Sequence, residues 1–288
     1  HGRQYPCLTG VLLGRYPGIM TLQIWTDLHS DSLGMRTSLT VITPEGPGLE
    51  AQAWPNKTPG LLILLHGLTG NFMVWPQRDD LSKLANKHNL VIALPDGERS
   101  FWIDQQIGLR WGTWVGKELP ALLRSTLRVS RSRKRTFIAG LSMGGYGAMH
   151  AAFDYPGTFG GVVALSGTLD VAEDAFRKRH PDLYAIGFGN PTSPRPQDDL
   201  VARLRTGTAP IDCLKQMDIF ACCGTQDQLL GQGRRFTGAA REKGVDVQWD
   251  EGPGGHSFEF WNEWLPKGLE AVAGQGENHP KGPVPEPR

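Results

Sequence analysis

The sequence predicts an α/β fold: a mostly parallel sheet of eight strands, flanked by helices and carrying a helical cap insertion. Three features lead there. Short continuous apolar runs recur along the 288 residues, helical patterns separate them, and one stretch of nearly fifty residues interrupts the alternation. Thr21–Thr26 and Arg36–Thr43 come first and alternate around a Ser-Asp-Ser-Leu-Gly turn, as an antiparallel edge pair does. Leu61–Leu65, Leu90–Leu94, Thr136–Ala139, Val162–Leu165 and Ile219–Cys222 follow as strands covered on both faces. Val245–Trp249 is the eighth.

Helices are expected over Asp79–Lys87, Glu118–Leu127, Gly144–Phe153, Arg234–Lys243 and Phe258–Val272, with Gly244 as the C-cap of the fourth. Strands alternating with helices imply right-handed crossovers and a parallel sheet. Residues 168–215 are rich in Pro and Arg without a clear strand, which marks the cap. Residues 20–273 form the domain. Residues 1–19 are expected to be a poorly ordered N-terminal extension, foreign to the native chain or upstream of a start at Met20. The Pro-rich polar tail 274–288 is expected to be disordered.

Composition excludes several function classes. Lys plus Arg number 30 against 29 Asp plus Glu, so no net charge steers the chain toward nucleic acid or acidic membranes. The basic run Arg124–Arg135 reads as a solvated helix end and loop, lacking the aromatic interleaving of a nucleic-acid patch. No run of about 18 apolar residues exists to span a membrane, and 1–19 lacks the h-region of a signal peptide, so a cytoplasmic location is expected. Cys7, Cys213, Cys222 and Cys223 show no paired metal-ligand spacing and read as buried free thiols.

The chemistry centres on Gly140-Leu141-Ser142-Met143-Gly144, between a strand and a helix. In a chain with 37 glycines Gly-x-Ser-x-Gly recurs by chance, and it is the flanking elements that give it meaning. A serine on so sharp a turn needs glycines where a Cβ would collide, and stands at the positive N-terminus of the helix. Its hydroxyl is a weak nucleophile unless a base takes the proton and a carboxylate fixes that base. Of eight histidines, His256 lies in a Gly-rich loop between the last strand and last helix, where it can reach over the sheet edge. His150 is mid-helix, His88 and His180 are in polar contexts, and His1, His29 and His279 fall in terminal or turn regions. For the acid, Asp227 follows Ile219–Cys222 at the carboxyl end of its strand, with Asp170 as rival; the chain order Ser142, Asp227, His256 favours the former.

Two N–H donors are needed for an oxyanion. Met143 supplies one, and Leu68, in His66-Gly67-Leu68-Thr69-Gly70 after the first parallel strand, the other. His66 has no second metal ligand at a suitable spacing and is expected to brace this loop. Trp102, Trp111 and Phe188 are candidate walls of a small acyl pocket.

HGLTGN, LPDG followed by SFWID, KELPALL, FIAGLSMGGYGA, CGTQDQLL and GGHSFEFW, in this order from about Met20 to Leu269, resemble the "putative esterase" branch of the α/β-hydrolase fold. The likeness is nearest to tributyrin esterase-like carboxylesterases, with S-formylglutathione hydrolases and antigen 85 mycolyltransferases more distant. It implies Ser142 as nucleophile, Asp227 as acid, His256 as base, Leu68 and Met143 as oxyanion donors, and hydrolysis of short-chain acyl esters with neither cofactor nor metal. Where formylglutathione hydrolases carry a cysteine in the oxyanion loop this chain has Gly70, which weakens a glutathione-thioester reading. The expected function is therefore a serine carboxylesterase whose partner is a small-molecule ester, with self-association into a homo-oligomer compatible. A carbohydrate acetyl esterase or acyltransferase would use the same triad; a non-catalytic binding protein of this fold is disfavoured because all three residues are present.

Overall fold

The computed structural model describes residues 11–16, 20–44, 58–78, 81–189 and 193–274, with side chains from residue 24 onward. The N-terminal ten residues, 17–19 and the tail beyond Gly274 lie outside the described residues, as does Cys7. Among the described residues nine strands run in the order β1-β2-β3-β5-β4-β6-β7-β8-β9. They are β1 (Val11–Tyr16), β2 (Met20–Ser30), β3 (Met35–Thr43), β4 (Gly60–Leu65), β5 (Leu90–Pro95), β6 (Thr136–Leu141), β7 (Gly161–Leu165), β8 (Asp218–Gly224) and β9 (Gln248–Gly252). Pairing from β5 through β9 is parallel, and β1, β2, β3 and β5 pair antiparallel.

All eight expected strands are therefore present in one mostly parallel sheet. The ninth, β1, falls within residues 1–19, expected as a poorly ordered extension: Val11–Tyr16 pairs with β2 at the sheet edge through its backbone. Two boundaries also move. β2 runs to Ser30 past a bulge between Trp25 and Leu28, where Asp27 takes a φ of +61° and breaks the alternation that ended the expected strand at Thr26. β9 lies three residues beyond Val245–Trp249, because Val245 is buried in the turn after the preceding helix while the polar Gln248–Gly252 pairs along the edge.

The helices are α1 (Leu81–His88), α2 (Trp111–Thr113), α3 (Leu119–Thr126), α4 (Met143–Asp154), α5 (Asp174–Arg179), α6 (Pro181–Leu183), α7 (Leu200–Thr206), α8 (Ile211–Leu214), α9 (Leu230–Glu242) and α10 (Phe258–Ala273). α9 starts four residues ahead of its expected Arg234, since Gly231 and Gly233 hide its first turn from a propensity reading. Every residue of β4, β5 and β6 is buried, and alternate side chains enter opposite layers. Leu61, Ile63 and Leu65 join the core beneath α4, whereas Leu62 and Leu64 join that of α1 and α10. Each such side chain contributes about 1.5–3 kcal/mol on burial, which is why continuous apolar runs form the sheet centre.

Residues 168–215 hold α5 to α8, so the interruption is helical as expected. A buried ionic group ties part of it to α4: Asp198 accepts from Arg195 and contacts His150 Nε2 at 3.2 Å, while the Tyr146 hydroxyl donates to Asp198 O at 2.8 Å. In the basic run, Arg124 bonds Thr136 Oγ1, Arg133 bonds Pro156 O, and Arg135 bonds Asn89 O, so half its cations brace the fold. Cys222 and Cys223 are buried free thiols; Cys213 is free and only half-buried. Among the described residues no helix is long and apolar enough to cross a membrane.

Candidate active site

The sheet order reverses direction at β4, with β5 on one side and β6 on the other. At such a point the loops leaving the carboxyl ends diverge and open a crevice. The Gly67-Leu68 turn leaves β4 and Ser142 leaves the adjacent β6, whose Gly140 pairs with Leu65.

Ser142 has φ +54° and ψ −115°, a conformation that costs about 1–3 kcal/mol and persists only where the surroundings impose it. Its N–H donates to Leu165 O of β7 at 2.9 Å and its carbonyl accepts from Tyr146 N–H at 3.1 Å. The glycines beside it have no room for a side chain. A Cβ on Gly140 would lie 2.3 Å from Gly144 O, and one on Gly144 would lie 2.6 Å from Leu65 O and 2.7 Å from His66 O. Gly144→Ala therefore has to push the β4 turn away from the elbow, and a displacement near 1 Å costs about a hundredfold in rate. Ester turnover should fall by that order in Gly144→Ala, measured beside its melting temperature; an unaffected rate would contradict the packing described.

The loops after β8 and β9 are stitched together. Thr225 N–H donates to Gly252 O at 2.8 Å and Gln226 N–H to Gly254 O at 2.9 Å, and a Cβ on Gly224 would meet Gly254 O at 2.3 Å. This joins Asp227 to His256. His256 Nδ1 lies 2.8 Å from Asp227 Oδ2, and Nε2 lies 2.9 Å from Ser142 Oγ. A carboxylate only accepts, so Nδ1 carries the proton and Nε2 turns its lone pair to the hydroxyl. Burial alone would raise the Asp227 pKa, but the His256 hydrogen bond, the Leu229 N–H and the His256 charge outweigh it and hold the carboxyl below its ordinary value. Asp227 thus faces Nδ1 as a carboxylate that accepts.

The structure thus brings Ser142, Asp227 and His256 together. The rivals lie elsewhere: Asp170 pairs with Arg235 of α9, and His150 with Asp198. Met143 is the first residue of α4, so its N–H has no intrahelical acceptor. Leu68 is half-buried in the β4 turn, and a Cβ on neighbouring Gly67 would sit 3.6 Å from Ser142 Cβ. His66 braces this loop, with Nδ1 on Gly67 O at 2.7 Å.

The aromatic residues are a correction. Trp102, Trp111 and Phe188 are 0%, 2% and 0% exposed and are side chains of the packed core. Their bulk fills the α4 face of the sheet, and Phe188 sits 5.6 Å from Phe101 and 5.1 Å from Tyr184, ring centre to ring centre. One contributor was given no role from the sequence: Trp261, the last residue of the GGHSFEFW run, meets the His256 ring edge-to-face at 4.9 Å from one turn into α10.

A serine on a strand-to-helix elbow, bonded through an imidazole to a buried carboxylate above an open, mostly parallel sheet, defines a serine hydrolase of the α/β-hydrolase fold. Residues 30–272 match the family model described as Putative esterase. The chain belongs to that family and is a carboxylic ester hydrolase. It is 33% identical over 222 residues to an acetyl esterase of Caldicellulosiruptor saccharolyticus, covering 73% of this chain and 81% of that one. It is 27% identical over 226 residues to an S-formylglutathione hydrolase of Bos taurus, covering 69% and 76%. The fold matches the Staphylococcus aureus serine hydrolase FphF with a TM-score of 0.76, at 24% identity over 90% of this chain and 99% of the other.

Proposed function

We propose that this protein hydrolyses short-chain acyl esters through an acyl-enzyme, with Ser142 as nucleophile, His256 as general base and acid, and Asp227 as the group that orients and stabilises the imidazole. The observation that carries this is the unbroken path from Ser142 Oγ to His256 to Asp227, at 2.9 and 2.8 Å. As Oγ bonds to the ester carbonyl carbon, its proton passes to Nε2. The carbonyl oxygen takes the negative charge and accepts from the N–H groups of Leu68 and Met143, each worth about 3 kcal/mol in the transition state. The imidazolium gives its proton to the departing alcohol. Water then repeats the sequence against the acyl-enzyme and frees the acid.

A small acyl group suits a core as closely packed as that of Trp102, Trp111 and Phe188, each 2% exposed or less. The acetyl esterase relative favours the same end of the range. Gly70 argues against a thiol at that position, because a Cβ there would lie 3.0 Å from His66 Cβ and 3.1 Å from Val74 Cγ1. The reading also divides the chain into the hydrolase domain, 20–273, and its cap, 168–215, and places it in the cytoplasm, where the three described cysteines stay free.

A series of p-nitrophenyl esters from acetate to laurate tests the acyl group. Turnover should peak at about four carbons or fewer. A maximum at eight or more would mean a channel longer than this reading allows. Product analysis with added sugars separates water from a carbohydrate hydroxyl as acceptor.

A further inference from the structure

Three consecutive carbonyls at the end of β4 each accept a hydrogen bond from a ring N–H. Trp75 Nε1 donates to Leu65 O at 3.3 Å, Trp102 Nε1 to His66 O at 3.2 Å, and His66 Nδ1 to Gly67 O at 2.7 Å. All three donors are buried, at 1%, 0% and 1% exposure. None can turn away easily. Trp102 is wedged where a Cβ on Gly97 would lie 2.2 Å, and one on Gly147 2.4 Å, from its atoms, and it meets the His66 ring edge-on at 4.9 Å.

The partners also fix the state of His66. A carbonyl only accepts, so Nδ1 carries the proton; Gly97 N–H only donates, at 3.0 Å, so Nε2 keeps its lone pair. Asp96 Oδ1 shares that N–H at 2.9 Å and stands 3.5 Å from the same nitrogen.

A trans peptide is planar, and its C=O and N–H point in opposite directions. Gly67 O and Leu68 N–H belong to one such plane. With the carbonyl drawn down onto the buried His66 ring, the N–H is turned the other way, on a turn pressed against Ser142. We infer that His66 and Trp102 are positioning residues that aim the Leu68 N–H at the oxyanion by holding the peptide planes of residues 65–68. This rests on the esterase reading above and adds to it the parts that set the donor's direction.

Trp102→Phe keeps the ring packing and removes the N–H. His66→Asn keeps an amide N–H near the place of Nδ1, whereas His66→Gln carries its amide to the place of Nε2 and leaves Gly67 O without a donor. With p-nitrophenyl acetate, kcat and kcat/KM should fall together, by about a hundredfold in His66→Gln and about tenfold in Trp102→Phe, with His66→Asn close to the unaltered protein. The inhibition constant of a short alkyl boronic acid, whose tetrahedral adduct sets an oxygen in the oxyanion site, should rise by the same factors. Melting temperatures accompany each variant, and if His66→Gln fails to fold, Trp102→Phe against His66→Asn makes the same comparison. Unchanged kcat in the variants, a loss confined to KM, or unchanged boronate affinity where kcat falls would overturn the inference. An unaltered protein that neither hydrolyses the ester nor binds the boronate would instead overturn the esterase reading itself.

Discussion

Ser142→Ala should be a folded protein that no longer turns over p-nitrophenyl acetate or butyrate and gives no burst of nitrophenol. Loss of the nucleophile removes the acyl-enzyme route altogether, and the decrease in kcat should reach about 10⁴–10⁶-fold, the remainder coming from binding and the oxyanion donors. Stability is expected to change little. Alanine meets the same left-handed backbone, at φ +54°, that serine already occupies, and what is lost is a hydrogen bond to an imidazole already partly open to water. Assay and thermal melt of the same preparation check both halves. Retained turnover would reject the nucleophile assignment.

Asp227→Asn should be nearly as damaging, at about 10⁴-fold in kcat at neutral pH, the size seen when the acid of a serine protease triad is changed to its amide. The cause is the tautomer. An amide facing Nδ1 with its N–H moves the proton to Nε2, which then points a donor at Ser142 Oγ and cannot accept. The same carboxylate governs pH dependence. Because Asp227 is held below its ordinary value, its contribution to stability is present above the usual carboxylate range and is lost as pH falls through the lowered pKa. Thermal melts from neutral to acid pH check this, and a stability that does not fall as Asp227 is protonated would count against the bond to His256.

Much of this architecture is legible in the residues. The centre of the sheet announces itself because strands buried on both faces must be apolar throughout, as Leu61–Leu65 and Leu90–Leu94 are. The elbow is equally plain, since only glycine fits at 140 and 144. Legibility fails where backbone pairing or packing decides. β1 and β9 join through main-chain bonds that leave little trace in side-chain pattern, and the bulge at Asp27 hides the second half of β2. Trp102 misleads for a different reason. Its place in the chain puts it near the site, but which way its ring turns depends on two glycines, Gly97 and Gly147, from separate loops and helices. Trp75, Trp102 and Trp261 touch the machinery only through contacts that cross elements.

The central claim is that one hydroxyl, at residue 142, is activated by His256 and Asp227. Incubation with a fluorophosphonate, followed by mass spectrometry of the digest, tests it most directly. The account predicts a single covalent adduct on Ser142 that is absent from Ser142→Ala and forms far more slowly in Asp227→Asn. A folded protein that never labels, or that labels at another residue, would contradict it.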